Sequence, residues 1–229
     1  MPRLERSTSP QQEPQVVSKR RVADHGEVLT GKREVNAMLD LVRHETERID
    51  SRFLEPACGT GNFLTEILRR KLRAVRKRYG RHQHDYEVYA VVAASSVYGI
   101  DILEDNVQRC RERLFEVFER EYMRLFKTNT RDRCREAVRY VLRRNIIWGD
   151  ALSLKTVGAD PKPIVFSEWS LISGSRFKRR DFTFRALLEH ASNRELPLFS
   201  DLGEDVFIPE PEKEFPPVHF LRVADGDIA

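Results

Sequence analysis

Three carboxylates and one glycine-rich turn are the residues of this chain whose types and spacing suit ligand chemistry. Residues 53–64 read Phe53-Leu54-Glu55-Pro56-Ala57-Cys58-Gly59-Thr60-Gly61-Asn62-Phe63-Leu64. An apolar pair leads into an acid, a Gly-x-Gly turn follows, and an amphipathic stretch begins at once, the pattern of a strand, a loop and a helix. Glycines at 59 and 61 permit a sharp turn and leave space where a Cβ would meet a ligand, and the helix start presents unpaired N–H groups. That combination suits a nucleotide-like cofactor, but two glycines also serve an ordinary strand-to-helix turn, and Leu64 stands where a G-x-G-x-x-G fingerprint has its third glycine. The other two acids close short apolar runs, Tyr98-Gly99-Ile100-Asp101-Ile102 and Asn145-Ile146-Ile147-Trp148-Gly149-Asp150-Ala151-Leu152. A carboxylate ending a second strand can accept hydrogen bonds from both ribose hydroxyls. Asp101 follows Gly61 at about double the usual spacing of roughly 20 residues, which an inserted helix explains.

These side chains need strands and helices to position them. Apolar residues at Val35, Met38, Leu39 and Val42 predict a helix from about Glu34 to Arg48. The helix from Asn62 is expected to turn Phe63, Ile67, Leu68 and Leu72 inward and Arg69, Arg70, Lys71, Arg73, Arg76, Lys77 and Arg78 mostly outward. Residues 86–96 suit a short buried helix ahead of the second strand. Residues 105–124 predict a helix with Val107, Cys110, Leu114, Val117 and Phe118 inward, and residues 131–144 another carrying Ala137, Val138, Tyr140, Val141 and Leu142. Pro163-Ile164-Val165-Phe166 is expected to form the next strand, and Phe184–Ser192 a helix.

At 229 residues the chain is long enough for one sizeable core. No apolar run approaches the roughly 20 residues that span a bilayer, the first residues lack the apolar core of a signal peptide, and three cysteines without metal-type spacing suit a reducing cytoplasm. A cytoplasmic protein with neither a membrane segment nor a metal is expected. Cys58 suits a small buried loop residue better than a nucleophile, and His82 and His84 have no ligand cluster around them. The net charge of +4 is uneven: from Asp181 onward eleven acidic residues face four basic ones, about −7, leaving about +11 for residues 1–180. A polyanion such as DNA fits that basic part, and so does a solvated basic helix face. Residues 1–18 are expected to be a disordered leader, residues 19–180 the ligand-binding domain, and residues 181–229 an acidic extension pinned to it by Phe199, Leu202, Val206 and Phe207.

The string from Glu55 to Leu64 resembles motif I, D-P-A-C-G-S/T-G-x-F-L, of the S-adenosylmethionine-dependent N6-adenine DNA methyltransferases, with Glu55 in place of Asp. The segment from Tyr98 to Ile102 resembles motif II of that family, and Asn145–Leu152 resembles motif III, N-I-I-x-G-D-A-L. Gly26-Glu27-Val28-Leu29-Thr30-Gly31 is similar to the family's G-E-V-F-T-P segment, with Leu29 for the aromatic and Gly31 for the proline. The resemblance covers residues 20 to about 170. It implies a Rossmann-like α/β domain, a mainly parallel sheet with helices on both faces and S-adenosylmethionine at the carboxyl ends of the strands. It also implies cofactor contacts at Thr30, Glu55, Pro56, Ala57, Cys58, Gly59, Thr60, Gly61, Asn62, Phe63, Asp101, Ile102, Asp150 and Ala151. Glu55 would hold the cofactor's ammonium group, Asp101 its ribose and Asp150 would approach its adenine. The family points to modification subunits of restriction systems, with DNA and a specificity or restriction subunit as partners.

The chain departs from the pattern at the fourth motif, D/N/S-P-P-Y/F, whose polar side chain and proline carbonyl accept hydrogen bonds from the target amine while the aromatic stacks on a flipped base. Where it is expected stand Ser167, Glu168 and Trp169, an acceptor beside an aromatic without the prolines, and these are the candidate catalytic residues. The chain's sole Pro-Pro, in Phe215-Pro216-Pro217-Val218, lacks both flanking residues and suits a turn or linker. Arg176-Phe177-Lys178-Arg179-Arg180-Asp181-Phe182 interleaves cations with aromatics, a mixture able to hold phosphates and stack bases. Two readings therefore stand: a DNA adenine methyltransferase or its cofactor-binding subunit, and a catalytically silent S-adenosylmethionine-binding sensor or scaffold. Methylation of RNA or protein is a third.

Overall fold

A computed structural model describes residues 30–194 and 209–227. The leader, the segment through Leu29, and Phe199, Leu202, Val206 and Phe207 lie outside the described residues. The architecture is α/β, with a mixed and mostly parallel sheet. Strands β1 (Phe53–Glu55), β2 (Val97–Asp101) and β3 (Ile146–Asp150) are parallel neighbours in that order, and β4 (Lys155–Thr156) joins β3 antiparallel at the far edge. Leu54 pairs with Tyr98, and Ile100 with Ile147.

Helices α1 (Lys32–Leu41) and α2 (Arg43–Thr46) precede β1. Between β1 and β2 run α3 (Asn62–Tyr79) and α4 (Gln83–Ser95); between β2 and β3 run α5 (Glu104–Phe126) and α6 (Asp132–Asn145). The expected inward residues of α5 and α6 are all buried. One sheet face, carrying Val97 and Ile146, shares a core with Leu64, Leu68 and Leu72 of α3, Cys110 and Leu114 of α5, and Val138 and Val141 of α6. Two expectations for the helices need correcting. Met38 is exposed on α1, whose buried residues are Val35 and Leu39 alone, and Val42 is exposed at the break where the helix ends at Leu41 and restarts at Arg43. Arg70 and Lys71 are buried rather than outward. Arg70 pairs with Glu66 and Asp40, and the Lys71 ammonium reaches the carbonyls of Arg48, Ile49 and Ser51, tying the loop before β1 to α3.

The second sheet face is covered differently from the expected helical layer. β5 (Val165–Ser173) and β6 (Arg176–Thr183) form an antiparallel hairpin, to which β7 (Lys213–Glu214) and β8 (Val218–His219) add on β6. Ile164 and Phe166 pack against Tyr98 and Ile100 of that face, together with Phe184, the first residue of α7 (Phe184–Arg194). Val165 and Phe166 thus do not extend the parallel sheet; they pair with Thr183 and Phe182. The alternation of burial along β6, with Phe177, Arg179 and Asp181 inward, explains why its basic-aromatic stretch is a strand and not an open phosphate-holding surface. β6 runs through residues 180 and 181, where the charge distribution changes sign, and the Phe215–Pro217 segment links β7 to β8.

Candidate functional site

A cleft of about 570 Å³ opens at the carboxyl ends of β1, β2 and β3, beside the starts of α3 and α5. It is lined by the last residue of each of these strands, Glu55, Asp101 and Asp150, by the turn from Pro56 to Gly59, and by Thr30. Chain segments far apart in sequence meet here because parallel strands joined by helical crossovers end on the same side of the sheet. The turn is built as its glycines allow: Gly59 and Gly61 have φ of +52° and +86°, and a Cβ on Gly61 would stand 2.6 Å from the Cys110 sulfur.

The three acids have different surroundings. Burial pushes the Glu55 carboxyl above the usual carboxylate range, opposed only by a hydrogen bond from the Ala57 backbone N–H. Such a group gains from a cation delivered into the cleft. Asp101, nearly buried, accepts from the Gly59 N–H at 2.7 Å, the Leu103 N–H at 2.9 Å and the Asn106 amide at 3.2 Å. It braces the glycine turn against the end of β2 while still lining the cleft. Asp150 is held below the usual range by the Leu152 N–H, then by the Ser153 hydroxyl, so it remains an anion at the cleft mouth.

Cys58 lines the cleft, and its thiol is pushed up by hydrogen bonding to Cys110 and by burial, which suits a small buried loop residue. Phe63, Asn62, Ile102 and Ala151 also line it; Thr60 and Gly61 do not. Those two stand behind the cleft, where the Arg113 guanidinium donates to the Thr60 carbonyl at 2.8 Å, its hydroxyl at 2.9 Å and the Asn62 amide oxygen at 2.7 Å. Asn62 in turn donates to the Thr30 carbonyl at 2.8 Å, so one chain of bonds joins α5, the turn and the segment before α1.

Sequence reasoning missed Leu103, Asn106, Gly149 and Leu152, which also line the cleft, and Arg113 behind it. Asn106 carried a signal, a polar residue one turn before Cys110 on an otherwise apolar stripe. Arg113 carried none, because an arginine on a basic helix reads as solvated. Nor did Leu152, which is exposed at the cleft mouth.

Ser167, Glu168 and Trp169 lie at the opposite end of the sheet. The Ser167 carbonyl accepts from the Tyr98 hydroxyl at the start of β2, and its own hydroxyl donates to Asp181 at 2.7 Å. Glu168 pairs with Arg52, just before β1, and with Arg180. The Trp169 indole N–H points to Asn145, just before β3. These bonds hold all three at the amino ends of the parallel strands, and none lines the cleft. Among the described residues no group of three or more His, Cys, Asp or Glu is placed to hold a metal, and no helix is long and apolar enough to cross a membrane. Compared with family models, curated proteins and solved structures, the chain matched none.

Proposed function

We propose that the cleft binds S-adenosylmethionine and that the chain is the cofactor-binding part of an adenine N6-directed DNA methyltransferase, a modification subunit of a restriction system, with a Rossmann-like domain. The observation that carries this reading is the convergence of Glu55, Asp101 and Asp150, from three separate strand ends, on one cleft of about 570 Å³, within the 300–1,000 Å³ usual for small-molecule sites. The donor set fits the cofactor. Glu55 would hold the ammonium, Asp101 and Ile102 would contact the ribose, Asp150 and Ala151 the adenine, and Pro56 to Gly59 the methionine portion.

When bound, the cofactor would supply an electrophilic methyl group for transfer to the target amine. The chain's own residues would orient that methyl by gripping both ends of the donor. Among the described residues the cleft acids are already assigned to the cofactor, and Ser167, Glu168 and Trp169 are held elsewhere. Among the described residues, the candidate catalytic ones therefore do not reach the cleft to activate the amine. The same displacement favours a second reading, a catalytically silent cofactor sensor.

Calorimetric titration of S-adenosylmethionine into wild type and Asp101→Ala tests binding, with saturable heat for the first and weaker binding for the second. Labelled methyl transfer to unmodified DNA, with candidate partner subunits supplied, then separates the readings. Incorporation that requires this chain supports the methyltransferase; binding without incorporation supports the sensor.

A further inference from the structure

Away from the cleft, two histidines meet where the start of α4, the β5–β6 hairpin tip and β8 come together. His84, in the first turn of α4, has its Nε2 2.7 Å from the Ser175 hydroxyl at the tip. The His219 ring of β8 lies 6.3 Å from that of His84, and the Phe220 ring stands beside both, 5.6 Å from His84 and 4.8 Å from His219. Arg176 of β6 pairs directly opposite His219, so the two side chains leave the sheet on one face.

These groups hold a 3-10 helix over Phe220–Asp227. Its first two amides are tied here: the Phe220 N–H donates to the Ser175 carbonyl at 2.8 Å, and the Leu221 N–H to His219 Nδ1 at 3.3 Å. Phe220 and Val223 then enter the main core, which Val138 and Val141 of α6 share. Farther along, Asp225 pairs with Arg133 and Arg222, but these pairs are largely exposed and hold little.

An accepting Nδ1 belongs to a neutral imidazole, because a protonated ring is a donor at both nitrogens. Proton uptake at His219 therefore cancels the bond from Leu221 and places a charge among cations. Burial first, then His84, Arg131 and Arg176, push His219 below its ordinary value of 6.5. Those three groups face it from α4, from the residue before α6 and from β6. The nearby acids are engaged elsewhere: Glu87 pairs with Arg131 at 3.1 Å, Asp132 with Arg135, and Asp85 acts on Tyr79. Attraction of a charged imidazole to the Phe220 ring works the other way, as one contact against a lost acceptor and three cations.

We infer that His84 and His219 form an acid-released clasp, which holds the segment Phe220–Asp227 on the body while both rings are neutral and frees it when they are protonated. The clasp is independent of what the cleft binds. Since the freed segment takes up protons more readily than the docked one, the hold is full above pH 6.5 and is lost as pH falls through the lowered value.

The test is hydrogen exchange of the full chain at about pH 7.5 and about pH 5.5, the span in which histidine changes charge, with rates corrected for the intrinsic effect of pH. Exchange at the Phe220 and Leu221 amides is expected to speed on the order of tenfold, the factor carried by one unit of pKa displacement, while the Leu114 amide in the core of α5 keeps its rate. His219→Asn offers an acceptor to Leu221 without a titrating charge and is expected to stay protected at both pH values. His84→Gln keeps a partner for Ser175 and is expected to show a smaller acceleration than wild type. A wild-type rate that does not change with pH would overturn the inference, as would equal acceleration in His219→Asn. Acceleration of Leu114 by the same factor would mean that acid opens the whole domain and would overturn it likewise. Should His219→Asn fail to fold, NMR titration of the wild-type His219 ring decides: a pKa below 6.5 is expected, and one at or above it would overturn the clasp.

Discussion

The two ends of the parallel strands are both rich in charge, yet they use it in opposite ways. At the carboxyl ends, Glu55, Asp101 and Asp150 line an open cleft, and their protein partners are mostly backbone N–H groups. At the amino ends, Arg179 holds Asp181 through two bonds of 2.8 and 2.7 Å, Arg144 adds a third at 3.0 Å, and Ser167 and Tyr140 complete the set. Glu168 is clasped between Arg52 and Arg180. Charges at one end face a void that a ligand can fill; charges at the other neutralise one another. A carboxylate without a cationic partner is therefore the better guide to a binding site here than a cluster of charges is.

That contrast is open to test by exchanging stability for binding. The largest effect is expected at the amino end, where Asp181→Ala takes from the buried Arg179 guanidinium the carboxylate it shares with Arg144. Unfolding by urea should show a loss of about 3–5 kcal/mol, with the cofactor affinity of the folded fraction unchanged. Glu55→Gln should do the reverse. Because burial raises the Glu55 pKa in the folded state, ionisation costs stability above its unfolded pKa, so the amide should hold or slightly raise the urea midpoint. Its affinity for S-adenosylmethionine should fall about 10- to 100-fold in calorimetry, the worth of a charge-assisted contact.

Lys71 gives a graded test, since it anchors the loop before β1 from within the core. Burial pushes its pKa down to about 7, with Asp50 as the main opposing influence. Between about pH 7 and the unfolded value of 10.5 the unfolded chain holds a proton that the folded chain does not. Stability contributed by this group therefore rises with pH across that window, by at most about 1.4 kcal/mol per pH unit. Stability measured at several pH values should show this rise in wild type and lose it in Lys71→Met. The smallest effect is expected for Arg113→Ala, which releases Thr60 and Asn62 without touching the cleft. A reduction of a few-fold in cofactor affinity should follow, with about 1 kcal/mol or less of stability lost, the value of an ordinary hydrogen bond.

Sequence legibility follows the range of the interactions involved. The turn at Gly59 and Gly61, the strand-end acids and the buried faces of α5 and α6 could be read because each depends on neighbours a few residues away. The strand at Val165 was legible as a strand, but not its place: its partners lie at residues 176–183, and the choice between extending the parallel sheet and folding back as a hairpin is made by tertiary packing. Trp169 was drawn to the site by its position after the third motif, whereas its ring lies in the core beside Tyr140. Lys71 and Arg70 were misplaced because a basic run hides which cations have carbonyls or carboxylates waiting inside.

The central claim is that Glu55 receives the cation of the bound cofactor. Carbon-detected NMR of the Glu55 side-chain carboxyl, titrated with acid in the absence and presence of saturating S-adenosylmethionine, tests it most directly. The expected result is a pKa above the ordinary glutamate range in the free protein that falls below it when the cofactor is bound. An unchanged Glu55 titration at saturation would contradict the account.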